Sequence, residues 1–283
     1  MRIALTGATG LVGQFIAAHA IAEGHDLVAL GRRPSQHGGA HRPWRLGEPA
    51  PLDGCDALVH AAFAHVPGRY RGGEGSDPEG FLRRNLDGTL RLWEEARGLP
   101  TVFLSSRAVY DGLPPGTVLT EDLPLAPDSL YGQVKLRAET ALHAQGGASL
   151  RATGVYGPPA AGQRHKWADL LDAFARGEEI APAIGTEVHG EDVARAVALL
   201  LDSPPGPYDC SDLLLDRRDL LLRWSRITGI RGGLPPRSDK GPNVMACARL
   251  RALGWHPGGE AALDAALRAM ARAAPPPPAR RAP

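Results

Sequence analysis

Three features are missing from this 283-residue sequence, and each absence removes a class of protein. Cysteine is scarce: Cys55, Cys210 and Cys247 are odd in number and far apart, with no Cys-x-x-Cys pair and no histidine at metal-ligand spacing. That excludes a disulfide framework and a metal centre, and the thiols read as those of a reducing compartment. Apolar runs approaching about 18 residues are absent, so no membrane-spanning helix is expected. The first residues, Met1-Arg2-Ile3-Ala4-Leu5, read as a buried strand and not as a cleavable signal, and the expectation is a cytoplasmic protein. Charge of one sign is also lacking: 32 Lys and Arg against 31 Asp and Glu give a formal net charge of +1, with both signs spread along the chain. This leaves no basic face for nucleic acid and no acidic tail, so the expected partner is a small molecule.

The chain is long enough for a large α/β domain with a smaller region attached. Residues 3–6 are a short apolar run that ends in Gly7-Ala8-Thr9-Gly10-Leu11-Val12-Gly13, after which Phe15, Ile16, Ala18, His19 and Ala22 keep helical spacing. Strand, glycine-rich turn and helix in this order suit a dinucleotide. The turn tolerates tight φ/ψ and lets a pyrophosphate approach the backbone, while the helix N-terminus offers N–H groups and a partial positive charge. Gly7, Thr9, Gly10, Leu11 and Val12 are the expected cofactor-binding residues here, with Gly13 as the third glycine. The second strand, 26–30, runs into Gly31-Arg32-Arg33-Pro34. No acidic residue stands there to take a ribose 2′-hydroxyl, and two guanidinium groups suit a 2′-phosphate. Arg32 and Arg33 therefore point to NADP, with NAD the alternative; the plain reading is two solvated loop charges.

Residues 37–53 read as loop with one poor strand around 44–46. The stretch 56–62 is an apolar strand ending in small residues, which lets Ala61 and Ala62 pass close under a cofactor. His60 is either a proton relay or a histidine satisfied at the strand end. Over 77–98, Leu82, Leu86, Leu90 and Trp93 form one helical stripe, which is core. A strand at 100–104 delivers Ser105 and Ser106 to the carboxyl edge of the sheet, where ligands sit in open parallel sheets. A Pro- and Gly-rich loop over 112–127 leads to the helix bearing Tyr131 and Lys135. Four residues apart, the two project from one helix face. A phenol titrates near pKa ~10 and a neighbouring cation favours the phenolate, which makes Tyr131 a candidate general acid/base. A sixth strand and its turn are expected over 150–159. Helices follow over 166–176, 191–201, 217–228, 243–253 and 260–273, and the 275–283 tail reads as extended and mobile.

Taken together, Thr6-Gly7-x-x-Gly10-x-x-Gly13, 56–62, Asn85, Ser105-Ser106, Val109-Tyr110, Tyr131-x-x-x-Lys135, Leu150-Arg151, Val155-Tyr156-Gly157-Pro158, Asp192-Val193-Ala194 and Leu253-Gly254-Trp255-x-Pro257 resemble the extended short-chain dehydrogenases/reductases, the NAD-dependent epimerase/dehydratase family. The resemblance implies that Tyr131 is the acid/base, that Lys135 holds the nicotinamide ribose and lowers the phenol's pKa, and that Ser106 hydrogen-bonds the reacting oxygen. It gives Asn85 a supporting role and implies pairing as a homodimer through helices 77–98 and 127–145. Dehydratases of this family carry an Asp-Glu pair where this chain has Arg107 and Ala108, which argues against a 4,6-dehydratase. Nucleotide-sugar epimerases tend to have an Asn at the place of Gly154 and an Arg shortly before the element His189-Gly190-Glu191-Asp192; both help hold the substrate's phosphates, and Arg164 or Lys166 are the available substitutes.

The fold class expected is α/β, a Rossmann-type doubly wound parallel sheet with a smaller, mostly helical C-terminal substrate-binding region. Residues 1–157 are the dinucleotide-binding domain, with 189–210 returning to it; 158–188 and 211–274 form the substrate-binding region. The function expected is NAD(P)-dependent hydride transfer between nicotinamide and a carbonyl or alcohol of a small metabolite or sugar-like substrate. The alternatives are an NAD-dependent nucleotide-sugar epimerase and a non-catalytic NADP-sensing regulator.

Overall fold

The computed structural model describes residues 1–64 and 74–273; the 275–283 tail lies outside the described residues. β1 (Arg2–Thr6) leads through the glycine turn into α1 (Gly13–Ala22), followed by β2 (Asp26–Gly31), β3 (Ala40–Pro43) and β4 (Ala57–His60). Then come α2 (Pro78–Leu82), a π-helical turn (Arg83–Asp87), α3 (Gly88–Glu95), β5 (Thr101–Ser106), a 3₁₀ turn (Arg107–Tyr110) and α4 (Leu130–His143). The chain continues through β6 (Ala148–Ala152), β7 (Gly154–Tyr156), α5 (Ala168–Arg176), β8 (Ile184–His189), α6 (Gly190–Leu200), β9 (Gly206–Cys210) and β10 (Leu213–Asp216). α7 (Arg217–Thr228), α8 (Ala248–Ala252) and α9 (Gly259–Ala273) complete it.

Among the described residues, seven strands form one parallel sheet in the order β3-β2-β1-β4-β5-β6-β9. Strands this apolar need cover on both faces. On one face Ile3 and Leu5 pack with Phe15, Ile16, Val193 and Val197 of α1 and α6. On the other, Ala4 and Leu58 pack with Leu86, Trp93, Val134 and Ala138. This is the Rossmann-type sheet. β1 lies between β2 and β4, so the winding reverses there and a crevice opens at the carboxyl ends of β1 and β4, the place where such sheets bind ligands.

α4 is positioned by short-range chemistry. Ser129 Oγ accepts from Gly132 N at 3.1 Å and caps the helix, while its own hydroxyl donates to Asp111 Oδ2 at 3.1 Å. A Cβ at Gly132 would collide with the Ala108 carbonyl and stand 2.8 Å from Pro127 Cβ. Glycine there lets α4 lie directly on the 3₁₀ turn that follows Ser106.

Several expected elements differ in detail. The weak strand of the 37–53 loop is β3, which ends before Trp44 where 44–46 had been expected to pair. The 77–98 helix is interrupted by the π turn at 83–87. The strand expected over 150–159 breaks at Thr153: β6 stays in the main sheet, and β7 leaves it to pair with β8, which pairs with β10 in a second, three-stranded sheet. Only 248–252 of the 243–253 helix forms, because Leu119 N donates to Val244 O at 2.8 Å and Ala246 N to Leu119 O at 2.9 Å, holding that segment extended. No helix of the described residues is long and apolar enough to cross a membrane.

Candidate active site

The glycine turn fits under the end of β4 with almost no spare room. Gly7 has φ +73°, and a Cβ there would stand 2.8 Å from the backbone of Ala61 and Ala62; a Cβ at Gly13 would collide with the Gly7 carbonyl. Thr6 Oγ1 accepts from Ala61 N and Ala62 N, both at 3.1 Å, and so pins the small-residue segment beside the turn. With both lone pairs used, the Thr6 hydroxyl donates to His60 Nδ1 at 2.7 Å, and Nε2–H donates to Thr89 Oγ1 at 3.2 Å. The ring is stacked on Phe103 and meets Trp93 edge-on. Burial, then the nearby Lys135 charge, bring its pKa down to about 3. His60 is therefore a neutral packing residue with both nitrogens satisfied, and not a proton relay.

Gly7, Thr9, Gly10, Leu11 and Val12 line the middle of a cavity of about 1280 Å³, together with Ala61 and Ala62. α1 starts here without a side-chain cap, so its N-terminal partial charge faces this space. Beyond the turn the cavity is bounded by Leu30, Arg32, Trp44, Arg45 and Leu46. Arg32 lines it and Arg33 does not. The sequence reading missed Trp44 and Arg45, which stand in a loop without periodicity. A strap from the later part of the chain crosses the turn: Gln163 Nε2 donates to Thr9 O at 2.8 Å, Gln14 Nε2 to Pro158 O at 3.1 Å, and Ala161 N to Gln36 Oε1 at 3.0 Å.

Ser106, Tyr131 and Lys135 line the same cavity. Ser106 closes β5; its Oγ accepts from Ala108 N at 3.2 Å, which leaves the O–H as a donor. Tyr131, half-buried in the first turn of α4, meets the Phe63 ring edge-on at 5.0 Å. Lys135 is 4% exposed; Nζ donates to Leu104 O at 2.8 Å, lies 4.4 Å and 4.5 Å from the ring centroids of Phe103 and Phe63, and is 5.8 Å from that of Tyr131. Burial brings its pKa down to about 7, with Glu139 opposing. Ser105 is buried, and its Oγ has no hydrogen-bond partner among the described residues. Asn85, in the π turn, brackets Ala64: Oδ1 accepts from its N–H at 2.7 Å and Nδ2 donates to its carbonyl at 2.8 Å. Of the two suggested phosphate ligands, Arg164 is spent on Asp169 and Asp172 away from the cavity, whereas Lys166 lines it and pairs with Glu187.

The arrangement holds a hydroxyl donor, a phenol and an ammonium at one end of a groove whose middle is a glycine-lined helix N-terminus. Among the described residues no cluster of His, Cys, Asp and Glu could hold a metal ion. Comparison with known proteins agrees with this frame. Residues 3–209 match the model of the NAD dependent epimerase/dehydratase family. A UDP-glucose 4-epimerase of Lacticaseibacillus casei is 28% identical over 158 residues, which cover 50% of this chain and 46% of that protein, so the chain spans about half the length of this relative. A UDP-glucose 4-epimerase of Streptomyces lividans is 26% identical over 89% of this chain and 90% of its own length. The crystal structure of Thermus thermophilus UDP-glucose 4-epimerase in complex with NAD superposes with a TM-score of 0.79 and 25% identity, covering 97% of this chain and 100% of that one.

Proposed function

Because the chain belongs to the NAD-dependent epimerase/dehydratase family, we propose that it is a nicotinamide-dependent oxidoreductase acting on a carbinol or carbonyl carbon of a small hydroxylated, sugar-like substrate. Several features support a bound dinucleotide. Gly7 and Gly13 leave a cradle that a Cβ would fill, the N-terminus of α1 faces it, and Ala61 and Ala62 form its small-residue floor. The nicotinamide, when bound, supplies the hydride acceptor or donor. Tyr131 gives the reacting oxygen its proton or takes it, Lys135 favours the phenolate and holds a ribose hydroxyl, and Ser106 donates to the oxygen as charge develops. The observation that carries this reading is the burial of the Lys135 ammonium between Phe63 and Phe103, in the cavity it shares with Tyr131, Ser106 and the glycine turn.

For the cofactor, Arg32 and Arg45 line the far end, and β2 runs into Gly31-Arg32-Arg33-Pro34 with no carboxylate, which supports a 2′-phosphate and hence NADP. NAD is the alternative, since it is the cofactor in the complex of the Thermus relative. The region after β7 would supply the substrate pocket. Titrating the protein with NADPH and with NADH by nicotinamide fluorescence, then screening keto compounds, tests the assignment. On the substrate so found, Tyr131→Phe should lower turnover roughly 10²–10⁴-fold with cofactor affinity kept; unchanged turnover removes Tyr131 from the mechanism.

A second reading, epimerisation with a retained cofactor, is favoured by the strap that Gln163, Gln14 and Gln36 tie across the glycine turn. Nicotinamide that stays with the protein through gel filtration, with no net consumption of NADPH, would establish it.

A further inference from the structure

Past Ser106 the cavity ends in a charged pair that the chemistry above does not use. Lys166, two residues before α5, and Glu187, in β8, meet as Nζ and Oε2 directly above Gly154. A Cβ at 154 would collide with Lys166 Nζ and stand 2.7 Å from Glu187 Oε2, so glycine at this position is what makes room for the pair. The second carboxylate oxygen, Oε1, lies beside Gly185, where a Cβ would come within 3.5 Å. The Glu187 side chain is 11% exposed and that of Lys166 28%; burial pushes the Glu187 carboxyl up and the Lys166 charge opposes this. Lys166, Glu187, Gly154 and Gly185 all line the cavity that holds Ser106 and Tyr131.

Two kinds of substrate group could meet this pair, and they fare differently. A diphosphate drawn to the ammonium would bring two negative charges beside a carboxylate that sits within contact distance of the same nitrogen. In a partly dry cavity that repulsion is poorly screened, and the ammonium is already compensated. Neighbouring hydroxyls meet no such conflict. One O–H donates to Oε1 and another hydroxyl oxygen accepts from the ammonium, so both charges stay paired and hydrogen-bonded. We propose that Lys166 and Glu187 form the specificity element of this site, admitting an uncharged hydroxylated group and rejecting the diphosphate of a nucleotide sugar. The inference rests on the hydride-transfer reading only in treating this end as the substrate's; the rejection itself is a binding property.

Calorimetric titration of the cofactor-loaded protein with UDP-glucose tests it. The expected wild-type Kd is millimolar or weaker. Glu187→Gln, which keeps the shape and removes the charge, should tighten UDP-glucose binding about tenfold or more, and adding Lys166→Met should abolish that gain. A micromolar Kd for the wild type, or a Glu187→Gln variant that is folded by thermal melting and binds no better, overturns the proposal. If Glu187→Gln does not fold, the wild-type titration still decides. Failure of the hydride-transfer reading would appear instead as an active Tyr131→Phe and would leave these titrations unchanged. A panel of free aldoses and alditols supplies the positive arm. At least one should be turned over, with KM raised about tenfold in Lys166→Met and kcat changed less; an inert panel beside turnover of UDP-glucose overturns the selection.

Discussion

Lys135 is a cation that has lost its water and kept one carbonyl, Leu104 O at 2.8 Å, and the faces of two rings. Burial brings its pKa down from 10.5 to about 7. A depressed folded-state pKa means that the unfolded chain binds the proton more tightly. The group's contribution to stability is thus complete above pH 10.5 and is lost as pH falls through about 7. Lys135→Met removes this titration and the buried charge together. The variant should exceed the wild type in unfolding free energy by about 1–4 kcal/mol near pH 7. The gap should close toward pH 10, while turnover falls at least about 10²-fold. Denaturant unfolding at the two pH values checks it, and a gap that does not change with pH would mean that the ammonium is solvated. The sequence had offered Lys135 as the ribose-holding partner of Tyr131, and its spacing placed both on one cavity. The stacking of Phe103 and Phe63 against its nitrogen was not legible, because those rings come from β5 and from the segment after β4, 32 and 72 residues away.

At the level of elements, the π turn is the feature that spacing could not disclose. Leu82, Leu86, Leu90 and Trp93 keep an apolar stripe whether or not one turn widens, so 77–98 reads as a continuous helix from its pattern. The widened turn carries Asn85, whose amide satisfies both backbone groups of Ala64 and also donates to Phe81 O at 3.1 Å. Asn85→Ala would strand an N–H and a carbonyl that are partly buried, at a cost of about 1–3 kcal/mol. It should also weaken NADPH binding several-fold, since 61–64 line the cavity. A thermal melt and a fluorescence titration measure the two effects; a destabilised variant with wild-type cofactor affinity would uncouple the turn from the site. The break at Thr153 was hidden for a related reason. β7 has three residues and β10 four, too short for alternation to say which sheet they join. The strands β1, β2, β4 and β5, by contrast, are apolar runs and were readable nearly to their ends, whereas β3 and β9 hold too few apolar residues for a strand to show in the sequence.

Across the whole molecule, one buried polar network ties α4 to the sheet and to the loop before it. Arg151 of β6 donates to both Glu139 oxygens, at 2.8 and 3.2 Å, and to Tyr110 Oη at 2.8 Å; Tyr110 donates to Asp209 Oδ1 of β9 at 2.8 Å, and Asp209 N donates to Glu121 Oε1 at 3.1 Å. Its members lie up to 99 residues apart in sequence, so no local pattern announced it, although Arg151 and Tyr110 stood among the residues that carried the family resemblance. One guanidinium here faces three carboxyl groups, and Asp209 Oδ2 has no hydrogen-bond partner among the described residues. Burial, more than the Glu121 and Glu139 charges, pushes Asp209 up to about 7, against the Tyr110 hydrogen bond and Arg151. A raised folded-state pKa contributes stability that is complete below 3.8 and lost as pH rises through about 7. The wild type should therefore lose on the order of 2–4 kcal/mol relative to Asp209→Asn between pH 5 and pH 8. Only the difference between the two proteins isolates this, because His60, between about 3 and 6.5, and Lys135, between about 7 and 10.5, drive stability the other way. Urea unfolding of both proteins at pH 5, 6.5 and 8 reads it. A free-energy difference that is flat across the three would show that Asp209 is ionised throughout, with its charge compensated by Arg151.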